Sequence, residues 1–370
     1  MTNRKIAVYT ICKNEEKNVQ AWLENVKNAD YICVLDTGST DKTKKLFEEA
    51  KEAFGDKLVF AETDYGNDFR FDRARNDCLK LVPNDAKICV CPDLDERLSD
   101  GWREALLTVW RNNTSRAQYK YIWNHDEHGD EGVTFDADKI HANDGTYKWV
   151  NPVHEILERE CLEEYVYVDG MVLEHWADAT KSRAQYLDLL ELAVKENPHN
   201  DRNTHYLGRE YMFRGRWQEA INMLKKHINM PEAKWDLERC ASMRFIGDCY
   251  CKLSQSTEAE KYYLRACAEG CRTREPWYDL ERFYYGRQDW GGVVYAGEKA
   301  TAISEKDGSY ICEQEAWSAL PFDMLSIGYY MTGRRGKALT AAHSALCADP
   351  DNERIANNIK LMEGDARHGQ

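Results

Sequence analysis

At 370 residues, with 43% hydrophobic and 11% aromatic side chains, the chain is longer than one ordinary core organises and calls for two folded domains. Its 64 acidic and 50 basic residues leave a net charge of −14, which disfavours nonspecific adhesion to nucleic acid or anionic membrane but leaves room for a local basic groove. The 13 cysteines lack paired spacing, and Cys89-Val90-Cys91 and Cys249-Tyr250-Cys251 lack the two-residue spacer of a thiolate zinc site; they read as reduced small hydrophobes of a cytoplasmic protein without membrane spans.

The first half alternates short apolar runs with helical stretches. Strands are expected at Ile6 to Ile11, Tyr31 to Leu35, Leu58 to Ala61 and Lys87 to Cys91, with helices at Glu15 to Val26, Lys42 to Ala53 and Phe71 to Leu81 between them. That βαβαβαβ order gives a mostly parallel sheet with helices on both faces. A helix at Trp102 to Trp110 follows, then strands at Tyr119 to Trp123 and Val133 to Asp136. The stretch Lys148 to Leu157 is dense in Trp, Asn, His and Glu, and a last strand runs from Tyr165 to Leu173, ending at Glu174-His175-Trp176.

Two segments carry the chemistry. Val34-Leu35-Asp36-Thr37-Gly38-Ser39-Thr40-Asp41 and Cys91-Pro92-Asp93-Leu94-Asp95-Glu96 are apolar strands that end abruptly in carboxylates. Ligands of open α/β sheets bind beyond the carboxyl ends of the strands, so Asp36, Asp93 and Asp95 belong to one rim. Asp93 and Asp95 in extended backbone would point the same way, and such hard oxygen ligands suit Mg²⁺ or Mn²⁺ already held by a diphosphate. The pattern reads as a nucleotide-sugar site.

From about Lys181 the chain becomes helical and repetitive. Leu207, Gly208, Tyr211, Ala220 and Leu224 recur as Ile246, Gly247, Tyr250, Ala259 and Tyr263, then as Leu280, Tyr284, Val293 and Ala300, and finally as Phe322, Leu325, Tyr329, Ala338 and Ala345. The small and aromatic positions match tetratricopeptide repeats, in which each helix pair buries its face only against a neighbour. The expected domains are 1–178 and 179–370.

Six ordered motifs carry a resemblance: Lys13-Asn14-Glu15-Glu16, Asp36-Thr37-Gly38-Ser39-Thr40-Asp41, Asp68-Phe69 with Ala74-Arg75-Asn76, Asp93-Leu94-Asp95-Glu96, Val153-His154-Glu155, and His175. Residues 6 to 176 resemble the catalytic domain of family-2 glycosyltransferases, and the whole chain resembles bacterial and phage members with C-terminal tetratricopeptide repeats. The resemblance implies a nucleotide-diphospho-sugar-binding α/β fold, a divalent metal (Mn²⁺ or Mg²⁺), a donor that is commonly a UDP-sugar, and inversion at the anomeric carbon. For a phage member the compartment would be the host cytoplasm. Pro92 and Arg70 depart from the pattern.

Matching and chemistry together assign roles. Thr10, Glu15 and Asp36 are expected at the nucleoside, where carboxylates accept from uracil N3–H or ribose hydroxyls. Arg75 is expected at the nucleotide or diphosphate, since a guanidinium grips phosphate oxygens in a fork. Asp93 and Glu96 would contact ribose or sugar hydroxyls, His154 the acceptor or diphosphate, Asp95 and His175 the metal, and Glu155 would be the catalytic base. The acceptor stays open between a peptide or protein, a saccharide, and a hydroxymethylated base of phage DNA. The last would need a basic surface such as Lys181, Arg183, Lys195, Arg202, Arg209, Arg214 and Arg216. The repeats would serve acceptor binding or homo-oligomer formation. A non-catalytic scaffold with a decayed transferase half is disfavoured because every acidic position remains filled.

Overall fold

The computed structural model describes residues 4–125, 129–177 and 185–364 and divides into two compact units, Met1–Ala193 and Val194–Gln370. The boundary expected at 178/179 lies outside the described residues.

The first unit is built on strands β1 (Lys5–Cys12), β2 (Tyr31–Asp36), β3 (Leu58–Glu62), β4 (Ala86–Val90), β5 (Glu96–Leu98), β6 (Arg116–Ile122), β7 (Thr134–Ala142), β8 (Tyr147–Val150), β9 (Ile156–Arg159) and β10 (Tyr165–His175). Helices α1 (Val19–Val26), α2 (Thr43–Phe54), α3 (Phe71–Leu79) and α4 (Trp102–Val109) connect them. The main sheet has the order β3-β2-β1-β4-β7-β6-β10-β5. It is parallel through β3, β2, β1 and β4; β7 then runs antiparallel to both its neighbours, and β10 is parallel to β6. Ile6, Ala7, Val8 and Tyr9 of β1 are all fully buried, the continuous apolar run that a central strand covered on both faces requires.

On one face Trp22 and Leu23 of α1, Phe47 of α2, and Trp102 and Leu106 of α4 pack against Ile6, Val8, Ile32 and Ile88. Each such side chain contributes roughly 1.5–3 kcal/mol by leaving water. The opposite face is covered by Cys78 of α3 and by Tyr147, Trp149 and Leu157 of the β8–β9 hairpin. The stretch Lys148 to Leu157 is therefore two short strands and the turn between them.

Helix α1 starts later than its periodicity suggests, because the chain after β1 is stitched to the chain after β2. Backbone N–H groups of Asn14, Glu15 and Glu16 donate to Ser39 Oγ (2.8 Å), Thr43 Oγ1 (2.7 Å) and Asp41 Oδ2 (3.1 Å). In return, Thr40 N–H donates to Asn14 Oδ1 at 2.7 Å and Lys42 N–H to Glu16 Oε2 at 3.0 Å. These N–H groups face sideways rather than along a helix axis, and Asn14 turns through φ 57°.

Helix α5 (Tyr186–Glu196) spans the division between the units. The second unit contains the pairs α6 (Asp201–Phe213) and α7 (Trp217–Ile228), α8 (Asp236–Lys252) and α9 (Ser256–Glu269), α10 (Glu275–Gly286) and α11 (Trp290–Thr301), and α12 (Leu320–Met331) and α13 (Arg335–Ala348), then α14 (Glu353–Gly364). A Cβ on Gly208 would lie 2.6 Å from Leu224, and one on Gly247 would lie 2.6 Å from Tyr263, so the first helix of each of these pairs touches the second at equivalent positions. The turn within each pair passes through positive φ at Gly215, Ser254, Gln288 and Gly333. Those positions are spaced by 39, 34 and 45 residues, as are Leu207, Ile246, Leu280 and Leu325. The array is tetratricopeptide-like, with the extra length of its last interval falling in the segment 302–319.

Candidate active site

Strand β2 ends at Asp36, whose fully buried carboxylate accepts from the N–H groups of Gly38 (2.9 Å) and Ser39 (2.8 Å) through Oδ1. Cys12 Sγ lies 3.6 Å from its Oδ2. Asp36 thus fixes the turn that carries the Gly38 to Asp41 loop. Thr10 is fully buried on β1, and Glu15 is partly exposed, with Oε2 accepting from Asn18 Nδ2 at 2.9 Å.

Strand β4 stops at Val90, and residues Asp93 to Glu96 form a tight turn closed by Glu96 N–H to Asp93 O at 3.0 Å. The expectation that Asp93 and Asp95 share an extended backbone and point together is corrected. Pro92 removes a ladder donor directly before them, the strand cannot continue, and the two carboxylates diverge. Asp93 turns toward Arg75 Nη2 at 2.7 Å and Lys139 Nζ at 3.2 Å. Burial alone would raise its pKa, but the attraction of Arg75 and then Lys139 outweighs it and holds the carboxyl well below the usual carboxylate range. Glu96 is buried: its Oε2 accepts from Asp93 N–H at 2.7 Å and its Oε1 from the Tyr121 hydroxyl at 2.7 Å and Lys139 Nζ at 3.2 Å. Its carboxylate therefore holds the shape of the turn.

Arg75, on α3, is buried between two acids. Its Nη2 holds Asp93, its Nε holds Glu155 Oε1, and its guanidinium stacks on Trp149 with 5.0 Å to the ring centroid. The Asn76 amide clamps Trp149 in both directions, donating to its carbonyl at 2.8 Å and accepting from its N–H at 2.9 Å. Consecutive residues of α3 thereby set the β8–β9 hairpin and the turn that carries His154 and Glu155. Asn151 and His154 pass that turn with φ 77° and 51°, and the His154 ring meets Tyr186 edge-on at 5.9 Å.

Asp95 faces the end of β10. His175 Nε2 lies 3.7 Å from Asp95 Oδ2, while His175 Nδ1 lies 3.0 Å from the Trp123 carbonyl oxygen. A carbonyl only accepts, so Nδ1 carries a proton and Nε2 is the nitrogen turned toward Asp95, the orientation that outer-shell carbonyls impose on metal-ligating histidines. Burial opposes protonation of this ring, yet the attraction of the neighbouring Asp95 carboxylate for an Nε2 proton outweighs it and raises the pKa above its ordinary value.

Residues 7–132 match the family model described as Glycosyl transferase family 2. The chain carries a family-2 glycosyltransferase domain. Such a domain implies transfer of a sugar from a nucleotide-sugar donor. No curated protein matches the chain. Among solved structures it is similar to MamA (19% identity, 45% of this chain and 89% of that one, TM-score 0.36). It is also similar to YrrB, described as a TPR protein with an unusual peptide-binding site (19%, 48% and 82%, TM-score 0.35). A third is the C-terminal part of a TPR repeat-containing protein from Cytophaga hutchinsonii (14%, 50% and 69%, TM-score 0.40).

The glycosyltransferase match covers the loops after β1 and β2, Arg75 and the acidic turn, whereas Lys139, Glu155 and His175 lie beyond it. Lys139 and Tyr121 are the residues that sequence reasoning missed. Each sits in a strand that mixes polar and apolar residues, Tyr121 in β6 and Lys139 in β7, so neither stands out by its type. Of the arginines considered for a basic surface, Arg214 pairs with Glu210 and Arg216 with Glu219, while Arg202 and Arg209 stack on Tyr206. Lys195 is exposed near the end of α5, and Lys181 and Arg183 lie outside the described residues. Among the described residues no helix is long and apolar enough to cross a membrane.

Proposed function

We propose that the chain is a metal-dependent, inverting glycosyltransferase that moves a hexosyl or pentosyl group from a UDP-sugar to a peptide, protein or saccharide acceptor. The observation that supports this most is the pairing of Asp95 with a His175 whose tautomer is set by the Trp123 carbonyl, beside an acidic turn at the strand ends. These residues fit a Mn²⁺ or Mg²⁺ ion, which when bound would neutralise the charge of the leaving diphosphate. Asp95 and His175 would hold it. In this reading Thr10, Glu15 and Asp36 form the nucleoside end, and Asp93 meets ribose or sugar hydroxyls.

Arg75 differs from its expected role at the diphosphate, because its fork is already engaged by Asp93 and Glu155. Its proposed part is to hold those two carboxylates in register, one on the donor side and one on the acceptor side. Glu155 takes the acceptor proton as the acceptor oxygen forms its bond to the anomeric carbon and the anomeric carbon–diphosphate oxygen bond breaks. His154, the preceding residue, orients the acceptor.

Incubating the purified protein with a panel of UDP-sugars and following nucleoside diphosphate release tests the reading. Release that requires Mn²⁺ or Mg²⁺ and stops on chelation is expected. Turnover unaffected by chelator would refute metal dependence, and absence of release with every UDP-sugar would refute the donor class.

A further inference from the structure

The helical unit contains a second group of metal-ligating side chains, unrelated to the transferase chemistry. Asp201 opens α6, His227 lies in the last turn of α7, and Glu238 lies in the first turn of α8. One ligand atom from each falls within 4.8 Å of the others. His227 is fully buried and Glu238 nearly so.

The hydrogen bonds around His227 leave its inner nitrogen unanswered. Ser242 Oγ, one turn beyond Glu238 on α8, sits 2.8 Å from His227 Nδ1 and also 2.8 Å from His205 Nδ1. His227 Nε2 is buried without a hydrogen-bond partner, 3.4 Å from Glu238 Oε2. A serine hydroxyl carries one proton and also accepts. When it accepts from His227 Nδ1–H, the Nε2 lone pair is directed at carboxylate oxygens, an arrangement that repels unless a proton or a metal cation stands between them. Two ligands bound at about 2.0–2.1 Å to a tetrahedral zinc ion are separated by about 3.3–3.4 Å. The spacing of His227 Nε2 and Glu238 Oε2 has that value.

We propose that Asp201, His227 and Glu238 bind a divalent transition-metal ion, zinc by its ligand chemistry. One imidazole and two carboxylates suit zinc better than magnesium or calcium, and Ser242 supplies the outer contact that fixes the ring. The ion would tie the first repeat to the second. It would also reach the segment 302–319, because the Tyr310 hydroxyl donates to Glu238 Oε1 while its ring stacks on Tyr206 and tilts against Trp235.

The test uses full-length protein carrying Asp95→Asn, so that the transferase site does not confuse the count. After chelation, the protein is dialysed with zinc and then against metal-free buffer, and zinc is measured by mass spectrometry. One retained zinc per chain and a raised Tm are expected. Adding Asp201→Asn, a partly exposed position whose helix cap is supplied by Asn200, should weaken retention by about tenfold or more. His227→Gln should do the same, with circular dichroism reporting the helices. Zinc absent from the Asp95→Asn protein, or retained undiminished by both added substitutions, would overturn the site.

Discussion

Both units bury an arginine between two carboxylates, and they use it differently. In the sheet unit Arg75 holds Asp93 and Glu155; in the helical unit Arg244 holds Asp279 at 2.6 Å and Glu313 at 2.7 Å. Arg244 and Asp279 are each only 3% exposed at the side chain, and Glu313 belongs to the segment 302–319 that crosses the helices. Asp93 keeps 31% of its side chain exposed just past the end of β4, in the same turn as Asp95. An ion triad therefore does not by itself mark a functional site. What distinguishes Arg75 is that one of its carboxylates, Asp93, follows the carboxyl end of β4, the kind of edge where ligands of α/β sheets bind, whereas those of Arg244 join helix α10 to the segment 302–319.

Removing each arginine separates the two uses. Arg244→Met leaves Asp279 and Glu313 buried without their cation and should destabilise the protein by about 3–5 kcal/mol. Donor affinity, measured at a temperature where the variant stays folded, should be unchanged. Arg75→Met should instead cost transfer out of proportion to stability. If both substitutions lower Tm equally and leave turnover per folded molecule intact, the distinction fails.

Glu155→Gln sharpens the comparison further. It retains a side chain that can meet Arg75 yet cannot take a proton, so transfer should drop by about a hundredfold or more with nearly unchanged affinity for UDP. Steady-state kinetics beside calorimetry checks this, and near-normal transfer would remove Glu155 as the base.

A pH effect belongs to the sheet unit. Trp149 Nε1–H donates to the Tyr9 hydroxyl at 2.7 Å, Tyr9 lies 2.9 Å from His141 Nε2, and His141 Nδ1 lies 2.9 Å from the Ala142 carbonyl. The ring is neutral, and burial pushes its pKa down from 6.5 to about 4. Between those values the unfolded chain binds a proton that the native ring refuses. This contribution is therefore complete above pH ~6.5 and declines as pH falls toward 4, by at most about 3 kcal/mol. Denaturant titrations across that range should show the decline, and His141→Gln should flatten it.

The smallest expected effect lies in the repeats. Ser254 turns through φ 58° at the position where Gly215 and Gly333 stand in other repeats. Ser254→Gly should be neutral or stabilising by up to about 1 kcal/mol, because glycine meets no Cβ penalty there. A marked loss of Tm would show that the side chain matters more than the turn.

The sequence conveyed most of this architecture where periodicity is strong. Strands β1 to β4 and helices α2 to α4 fall within about two residues of expectation, and the repeat register emerges again in the backbone turns. Strand β5 escaped because its three residues, Glu96 to Leu98, are too few to show alternation. The β8–β9 hairpin read as one dense stretch because its turn, Asn151 to Glu155, carries the same polar and aromatic residues as its strands. Asp93 was legible as an acid at a strand end. Its partners were not, since Lys139 reaches it only through the sheet order and Arg75 through the placement of α3.

Calorimetric titration of UDP with and without Mn²⁺, on the native chain and on Asp95→Asn, tests the central claim most directly. The account predicts binding that requires the ion and weakens at least about tenfold in Asp95→Asn, as loss of a charged contact implies. Equal, metal-independent affinity in the two proteins would contradict it.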